Sequence, residues 1–345
     1  MFNLLSKRLL GILQLTRMAL VFTAIADSFA SLILLAKSRH GGNPADPDMI
    51  LTPSRYLAVA AMSVGLYGFG MSLNDIIDRR RDRQIAAHRP LPSGRVGVIT
   101  AHIICSLLML MALAAAAYYW WVGGDWRSFV YLVVALSLIW FYDVAGKYLV
   151  ALGLITLGLI RFFHCLVPSP TVPVLWHPLL LFNHVVILST IAYRWEQKRP
   201  TLTGVHVGII AAGLAIVDSL AIITLGTYRG GPDGDILVAF QTDESMMWRN
   251  SLLVPIGAVV AFILLGIWIR WRTPGLRDAG QKLMLYGLLW LTVYDACFIF
   301  AYVGWWEGLL MLLFFPAALL SVQMMRWWSK VVSLSQKPTF KRVRV

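Results

Sequence analysis

The sequence predicts an all-α, polytopic membrane bundle of nine or ten transmembrane helices, and three observations carry that expectation. Of the 345 residues, 59% are apolar and only 14% charged, against roughly a quarter charged in an ordinary soluble domain. Apolar windows of ~20 residues, long enough to cross a hydrocarbon core, recur along the whole chain. Lys and Arg collect in every second connection between them. With a mean hydropathy of +0.71, these features exclude a soluble enzyme, a disordered chain and a disulfide scaffold. Cys105, Cys165 and Cys297 lie far apart inside apolar runs, with no CxxC pair and no metal spacing.

Ten windows qualify, at about 18–36, 56–74, 97–121, 129–144, 149–167, 175–193, 204–226, 251–269, 283–302 and 306–326. Ala24-Ile25-Ala26 in the first resembles a small-residue cleavage site, but apolar sequence continues to Ala36, which favours an uncleaved helix. The fourth window is short, and Gly304–Glu307 alone divides the last two. Loops 38–55 and 227–250 are polar, carry Gly and Pro and lean acidic, as outside connections do. With a cytoplasmic N-terminus, 23 of the 30 Lys and Arg residues fall inside, six fall outside and Arg161 lies within a span. That bias predicts a multi-pass protein of a bacterial plasma (inner) membrane with both termini cytoplasmic. The net charge of +13 then reports topology, and no nucleic-acid partner is needed. The chain reads as one domain over 1–345, ending in a basic tail, 329–345, that lies along anionic headgroups.

The richest segment, 74–95, follows the second window. Asn74, Asp75, Asp78 and Asp82 form N-D-x-x-D-x-x-x-D. At ~100° per helical residue they point at about 0°, 100°, 40° and 80°, so all four share one face at the end of the span. Three carboxylates in two turns repel one another unless a cation gathers them. Oxygen-only ligands are the ordinary setting for Mg²⁺, which takes carboxylates together with substrate phosphate oxygens. The competing arrangement pairs the acids with Arg79, Arg80, Arg81 and Arg83 on a solvated helix end. The stiff turn Arg89-Pro-Leu-Pro-Ser-Gly94 either holds Arg89 over the same site or is a well-formed loop alone.

N-D-x-x-D-x-x-x-D followed by R-P-L-P-S-G after a second span resembles the UbiA superfamily of intramembrane prenyltransferases, over about residues 10–300. The resemblance implies a helical bundle around a lateral, lipid-open cavity. Mg²⁺ and a prenyl diphosphate would sit at its cytoplasmic end, under helical caps built from the loops after spans two, four and six. It further implies that Asn74, Asp78 and Asp82, with Asp75 beside them, hold Mg²⁺, that Arg89 and Lys147 contact the diphosphate, and that Asp78 and Lys147 are catalytic. Tyr142-Asp143-Val-Ala-Gly-Lys147 resembles the family's Tyr/Lys loop, and Lys147 is also the sole cation of a short inside connection. A snorkelling interfacial lysine is the plainer account of it.

The resemblance breaks after the sixth span. The family's second Asp-rich motif is reduced, in loop 189–201, to Glu196 among Arg194, Lys198 and Arg199. Either Arg194 and Lys198 neutralise the diphosphate directly, or the chain binds such a ligand without ionising it. This single-acid arrangement, with Tyr142-Asp143, Lys147 and Gly158-Leu-Ile-Arg161, is similar to the EboC-like branch of the superfamily.

Asp27, Arg161, Asp218 and Asp295 lie within apolar runs, where an ionised group faces the bundle interior or is neutralised. Arg161 reads as an acceptor-binding residue, alone or paired with Asp27, with Tyr142 beside it. Asp218 and Asp295 pair with polar neighbours. His164, His177, His184 and His206 read as satisfied core or interfacial side chains, and the paired tryptophans as an interfacial belt. The resulting expectation is Mg²⁺-dependent transfer of an isoprenyl group from a prenyl diphosphate to a small aromatic or lipid-like acceptor in contact with membrane lipid. The alternatives are a non-catalytic protein of the same fold that binds or exports a lipid-like intermediate, and a secondary transporter. No internal repeat of the kind a transporter would carry relates 1–170 to 175–345.

Overall fold

The computed structural model describes residues 2–37, 50–172, 174–229, 235 and 252–334, and among these there is no strand. The two polar outside loops and the basic tail fall largely beyond the described residues. Helix α1 (Phe2–Leu15) leads through a 3-10 turn (Met18–Leu20) into α2 (Val21–Lys37). Then follow α3 (Pro53–Ile85), α4 (Val98–Trp121), α5 (Arg127–Val144), α6 (Val150–Leu166), α7 (Trp176–Trp195), α8 (Gly204–Arg229), α9 (Leu253–Arg272) and α10 (Leu276–Tyr302). Helices α11 (Trp305–Leu312) and α12 (Phe314–Leu334) close the order.

Among the described residues nine helical segments are long and apolar enough to cross a membrane, with α11 and α12 forming one segment. Helix α6 is a tenth apolar helix of 17 residues. The fourth and fifth spans are thus both short, at 18 and 17 residues. Helix α6 begins only after a second 3-10 turn, Gly146–Tyr148, and ends just before Pro168, which cannot continue it. Of the loops expected as helical caps, the one after α3 is a run of turns through Pro90, Pro92 and Gly94, and the one after α5 is the 3-10 turn. The one after α7 carries no helix before Gly204.

The helices divide into an inner and an outer set. More than half of each apolar window in α2, α3, α7 and α10 is buried, against 17% or less in α4, α8, α9 and the α11–α12 segment. Of the four charged residues read within apolar runs, Asp27, Arg161 and Asp295 lie on an inner helix or on α6, and Asp218 lies on an outer one. The outer helices carry exposed Leu, Ile and Val to the lipid, and Trp120, Trp121, Trp305, Trp306 and Trp327 are exposed near helix ends, as an interfacial belt requires.

Close approach of α3 to α4 depends on Gly65, where a Cβ would come within 2.6 Å of the Leu108 carbonyl oxygen and 2.9 Å of the Ala112 Cβ. Gly65→Leu should therefore destabilise the protein by about 1–3 kcal/mol through overpacking. Gly257→Ala, with nothing within 4 Å of the new methyl, should leave the thermal midpoint unchanged or raise it. Unfolding scans of both variants in detergent read the difference directly.

Candidate functional site

The last turns of α3 separate acid from base around the helix. Asp75, Asp78 and Asp82 are buried, at 4%, 6% and 1% exposure, while Arg80, Arg81 and Arg83 face outward. The partners of the acids come from three other segments. Arg89 Nη1 donates to Asp82 Oδ2 at 2.6 Å and lies 3.7 Å from Asp75 Oδ1. Lys147 Nζ donates to Asp78 Oδ1 at 2.8 Å and lies 4.0 Å from Asp143 Oδ1. Arg17 Nη2 stands 3.6 Å from Asp75 Oδ1. The arrangement in which Arg79, Arg80, Arg81 and Arg83 neutralise the acids is not formed: the ion pairs of Asp75, Asp78 and Asp82 go to Arg17, Arg89 and Lys147 instead.

Each base is seated by local structure. Arg89 opens a turn closed by the Ser93 amide on its carbonyl at 3.0 Å and by Gly94 at φ +73°. Leu91 and Val96 of that turn pack with Leu15 and Ala101, and Arg95 Nη1 donates to Gln14 Oε1 at 2.7 Å. Lys147 rides the 3-10 turn after α5. That turn lies directly on α6 because Gly153 has no side chain; a Cβ there would meet the Gly146 carbonyl at 2.5 Å. Arg17 has φ 46° and ψ 39°, a left-handed conformation uncommon outside glycine, and it holds the corner between α1 and the first 3-10 turn.

A cavity of about 260 Å³ opens from this end into the bundle. Arg17, Asn74, Tyr142 and Asp143 line one part of it and Arg161 and His164 another, between apolar walls that include Leu66, Ile139 and Leu157. Arg161 Nε pairs with Asp27 Oδ2, and its Nη2 donates to the Thr23 carbonyl at 3.0 Å. His164 Nε2 lies 3.1 Å from Ser28 Oγ and 3.3 Å from Ser63 Oγ, and its Nδ1 lies 3.7 Å from Asp27 Oδ2. Asp27 is fully buried, so the ion pair is an interior one.

The donor chemistry of the α3 face suits a hard divalent cation. Asp75 Oδ1, Asp82 Oδ1 and Asp143 Oδ1 are buried and accept no hydrogen bond, and oxygen is what Mg²⁺ selects. Among the described residues no three acidic, His or Cys side chains close around one point. Arg89 bridges Asp75 and Asp82, and Lys147 lies between Asp78 and Asp143.

The structure thus brings together Asp75, Asp78, Asp82, Arg89 and Lys147, with Asn74 and Tyr142 on the cavity they border, and it pairs Arg161 with Asp27. It leaves Arg194, Glu196 and Lys198 apart. Lys198 Nζ bonds Glu196 Oε2 at 3.1 Å, and among the described residues none of the three has an ion pair or hydrogen bond to the α3 acids. Asp218 accepts from Asn183 Nδ2 at 2.9 Å, and Asp295 lies 2.8 Å from His177 Nε2. Sequence reasoning gave no role to Arg17, Asp143 or His164. The adjacency of Asp143 to Tyr142, and the three-residue step from Arg161 to His164, were the available signals.

The model of the UbiA prenyltransferase family matches residues 42–282. A structure of digeranylgeranylglyceryl phosphate synthase aligns with a TM-score of 0.55 at 15% identity, covering 86% of this chain and 99% of that one. A UbiA homologue from Aeropyrum pernix K1 aligns at 0.49 and 19% identity, covering 80% and 96%. A UbiA homologue from Archaeoglobus fulgidus bound to GPP and Mg²⁺ aligns at 0.44 and 13%, covering 94% and 99%. No curated protein matches the sequence. The likeness to the synthase supports the fold.

The interior ion pair makes a separate prediction. Asp27→Ala should cost about 3–5 kcal/mol, because it leaves Arg161 buried without its counter-charge. Asp27→Asn combined with Arg161→Gln should cost much less. Thermal unfolding of the three proteins in one detergent checks both values.

Proposed function

The chain belongs to the UbiA prenyltransferase family, and from that premise we propose that it is an integral-membrane enzyme moving the prenyl group of a prenyl diphosphate to a small aromatic or lipid-like acceptor. The observation that carries this reading is the pairing of the α3 acids with Arg17, Arg89 and Lys147 at the end of the bundle where Arg17, Asn74 and Asp143 line a cavity. Four carboxylates (Asp75, Asp78, Asp82 and Asp143) face three cationic side chains there, which leaves room for further positive charge. Asn74, Asp78 and Asp82, with Asp75, would hold Mg²⁺, which when bound neutralises diphosphate charge.

In the reaction, the bond between the allylic carbon and the diphosphate oxygen breaks, the acceptor bonds to that carbon, and the acceptor gives up a proton. Lys147 and Arg89 stabilise the negative charge that develops on the leaving diphosphate, with Arg17 behind Asp75, in surroundings where such interactions are strong. Leu66, Ile139 and Leu157 keep water from the electron-poor prenyl carbon. Arg161, oriented by Asp27, and Tyr142 offer the hydrogen-bonding groups that position the acceptor.

In this reading Arg17 adds a fixed positive charge to those of Arg89 and Lys147, at a site whose second acidic motif is reduced to Glu196. Arg194 and Lys198 remain outside the diphosphate site, with Lys198 engaged by Glu196. The 23-to-6 distribution of Lys and Arg supports a multi-pass orientation in a bacterial plasma membrane, with the α3 acids toward the cytoplasm. A second reading, a lipid-binding protein without transferase activity, is favoured by one observation: the loop after α7 supplies a single acid, already paired.

The purified protein, labelled geranylgeranyl diphosphate, Mg²⁺ and a lipid extract of the source membrane should yield a labelled lipid-soluble product. Lys147→Ala should lower its rate by about 10²–10³, the range found for removing one stabilising donor. Asp78→Asn or chelation of the metal should abolish it. Diphosphate retained by the wild type but not by Asp78→Asn, with no product from either, would select the non-catalytic reading.

A further inference from the structure

We propose that the protein has a second lipid site, a lateral groove that takes a long, single-tailed polyprenyl lipid with an anionic phosphate headgroup. The groove lies between α7, α9 and α10, holds about 790 Å³, and shares no lining residue with the cavity at Asn74 and Arg161. Its volume is within the ~300–1,000 Å³ that small-molecule sites enclose. Ile187, Ile191, Ile263 and Ile267 line it and are exposed, so it opens on the membrane-facing surface.

Three features identify the occupant. The first is length. A further space of about 290 Å³ continues the groove between α7, α8 and α9, and the two share Leu180, Asn183 and Val259. Together they run beside α7 from Trp195 to Trp176 and beside α9 from Trp271 to Leu252. At 1.5 Å per residue that path is roughly 30 Å long, the full thickness of the hydrocarbon core. An acyl chain of one leaflet fills about half of it, and both tails of a phospholipid stop at the same depth. A single long isoprenoid chain reaches the far end.

The second feature is charge. Arg270 is the only charged side chain lining the larger space; it is exposed, and among the described residues it has no ion pair or hydrogen bond. Trp195 and Trp271 flank it, in the position where indoles mark the headgroup level. A cation with no carboxylate beside it, at the headgroup end of an apolar groove, matches a phosphate.

The third is the inner lining. His184 donates from Nε2 to the Gly287 carbonyl at 3.0 Å, leaving Nδ1 to accept from Tyr294 Oη at 3.2 Å. The Asn183 amide is spent on the Leu179 carbonyl and Asp218. The imidazole and phenol lining the larger space are thus bonded within the protein, and Asp218, which lines the smaller one, accepts from Asn183, so the remaining lining offered to a tail is mainly apolar. No local sequence pattern marks this site, since its walls come from helices far apart in the chain.

Native mass spectrometry of the detergent-purified protein with a long-chain polyprenyl phosphate tests the proposal. One retained equivalent is expected, with markedly weaker retention of geranylgeranyl phosphate, palmitate and the uncharged polyprenol. Arg270→Ala should weaken binding of the polyprenyl phosphate about tenfold or more, the worth of one charge-assisted hydrogen bond. Ile263→Trp, which fills the groove, should remove binding at an unchanged thermal midpoint. Asp78→Asn should bind as the wild type does, which separates this site from the proposed transferase cavity. The proposal is overturned if Arg270→Ala and Ile263→Trp bind normally or if Asp78→Asn abolishes binding. Equal competition by phosphatidylglycerol would also overturn it, by showing that bulk lipid fills the groove.

Discussion

A carboxylate inside an apolar bundle has to be neutralised where it stands, and the architecture of this protein follows from that requirement. An unpaired charge at mid-span costs about 2.5–3.5 kcal/mol even by the gentler insertion scales. Apolar contacts alone fix the rotation of a membrane helix poorly, since lipid tails are as apolar as leucine. Here the ionic and polar pairs set the rotation. Asp27 with Arg161 ties α2 to α6, His177 with Asp295 ties α7 to α10, and Asn183 with Asp218 ties α7 to α8. The acids of α3 are bound to three separate stretches of chain through Arg17, Arg89 and Lys147. Packing then fills in around these fixed points, with Gly65 and Gly153 allowing two close backbone approaches.

In the proposed reaction the same cations have two successive partners. Without substrate, Arg89 and Lys147 hold the aspartates. A diphosphate, bearing more charge than any one carboxylate, would compete for them, and Asp78 and Asp82, once released, would be free to hold the cation. Such an exchange keeps the site near neutrality at each stage, as a low-dielectric surrounding demands. It also gives a physical reason why a chain with only Glu196 after α7 can retain a site at α3: the bases that serve it are delivered from other loops.

Much of this was legible in the sequence, for identifiable reasons. Span length and hydropathy are local properties, so the membrane bundle could be read directly. Register is also local: the spacing of Asp75, Asp78 and Asp82 put them on one face, and that face is the buried one. Arg89 and Lys147 were visible because each is set in a short, conspicuous turn. Arg17 was not, because its meeting with Asp75 depends on how α1 folds back at a left-handed corner. The Ser28, Ser63 and His164 cluster was invisible for the same reason, being assembled from α2, α3 and α6. The fourth and fifth windows differ from their helices by about two residues, because hydropathy does not register that Arg127 and Ser128 open α5 or that α6 stops at Leu166, just before Pro168.

The corner that carries Arg17 rests on α12, the final described helix, which packs against α1, the adjoining 3-10 turn and α2. A chain emerging from the ribosome presents the α3 acids, Arg89 and Lys147 early, but the support beneath Arg17 arrives last. Assembly of this site is therefore a joining of segments about 300 residues apart, α1–α2 and α12. Until that joining occurs, a nascent or C-terminally shortened chain holds its aspartates with two of the three bases and lacks the wall that keeps the third in position.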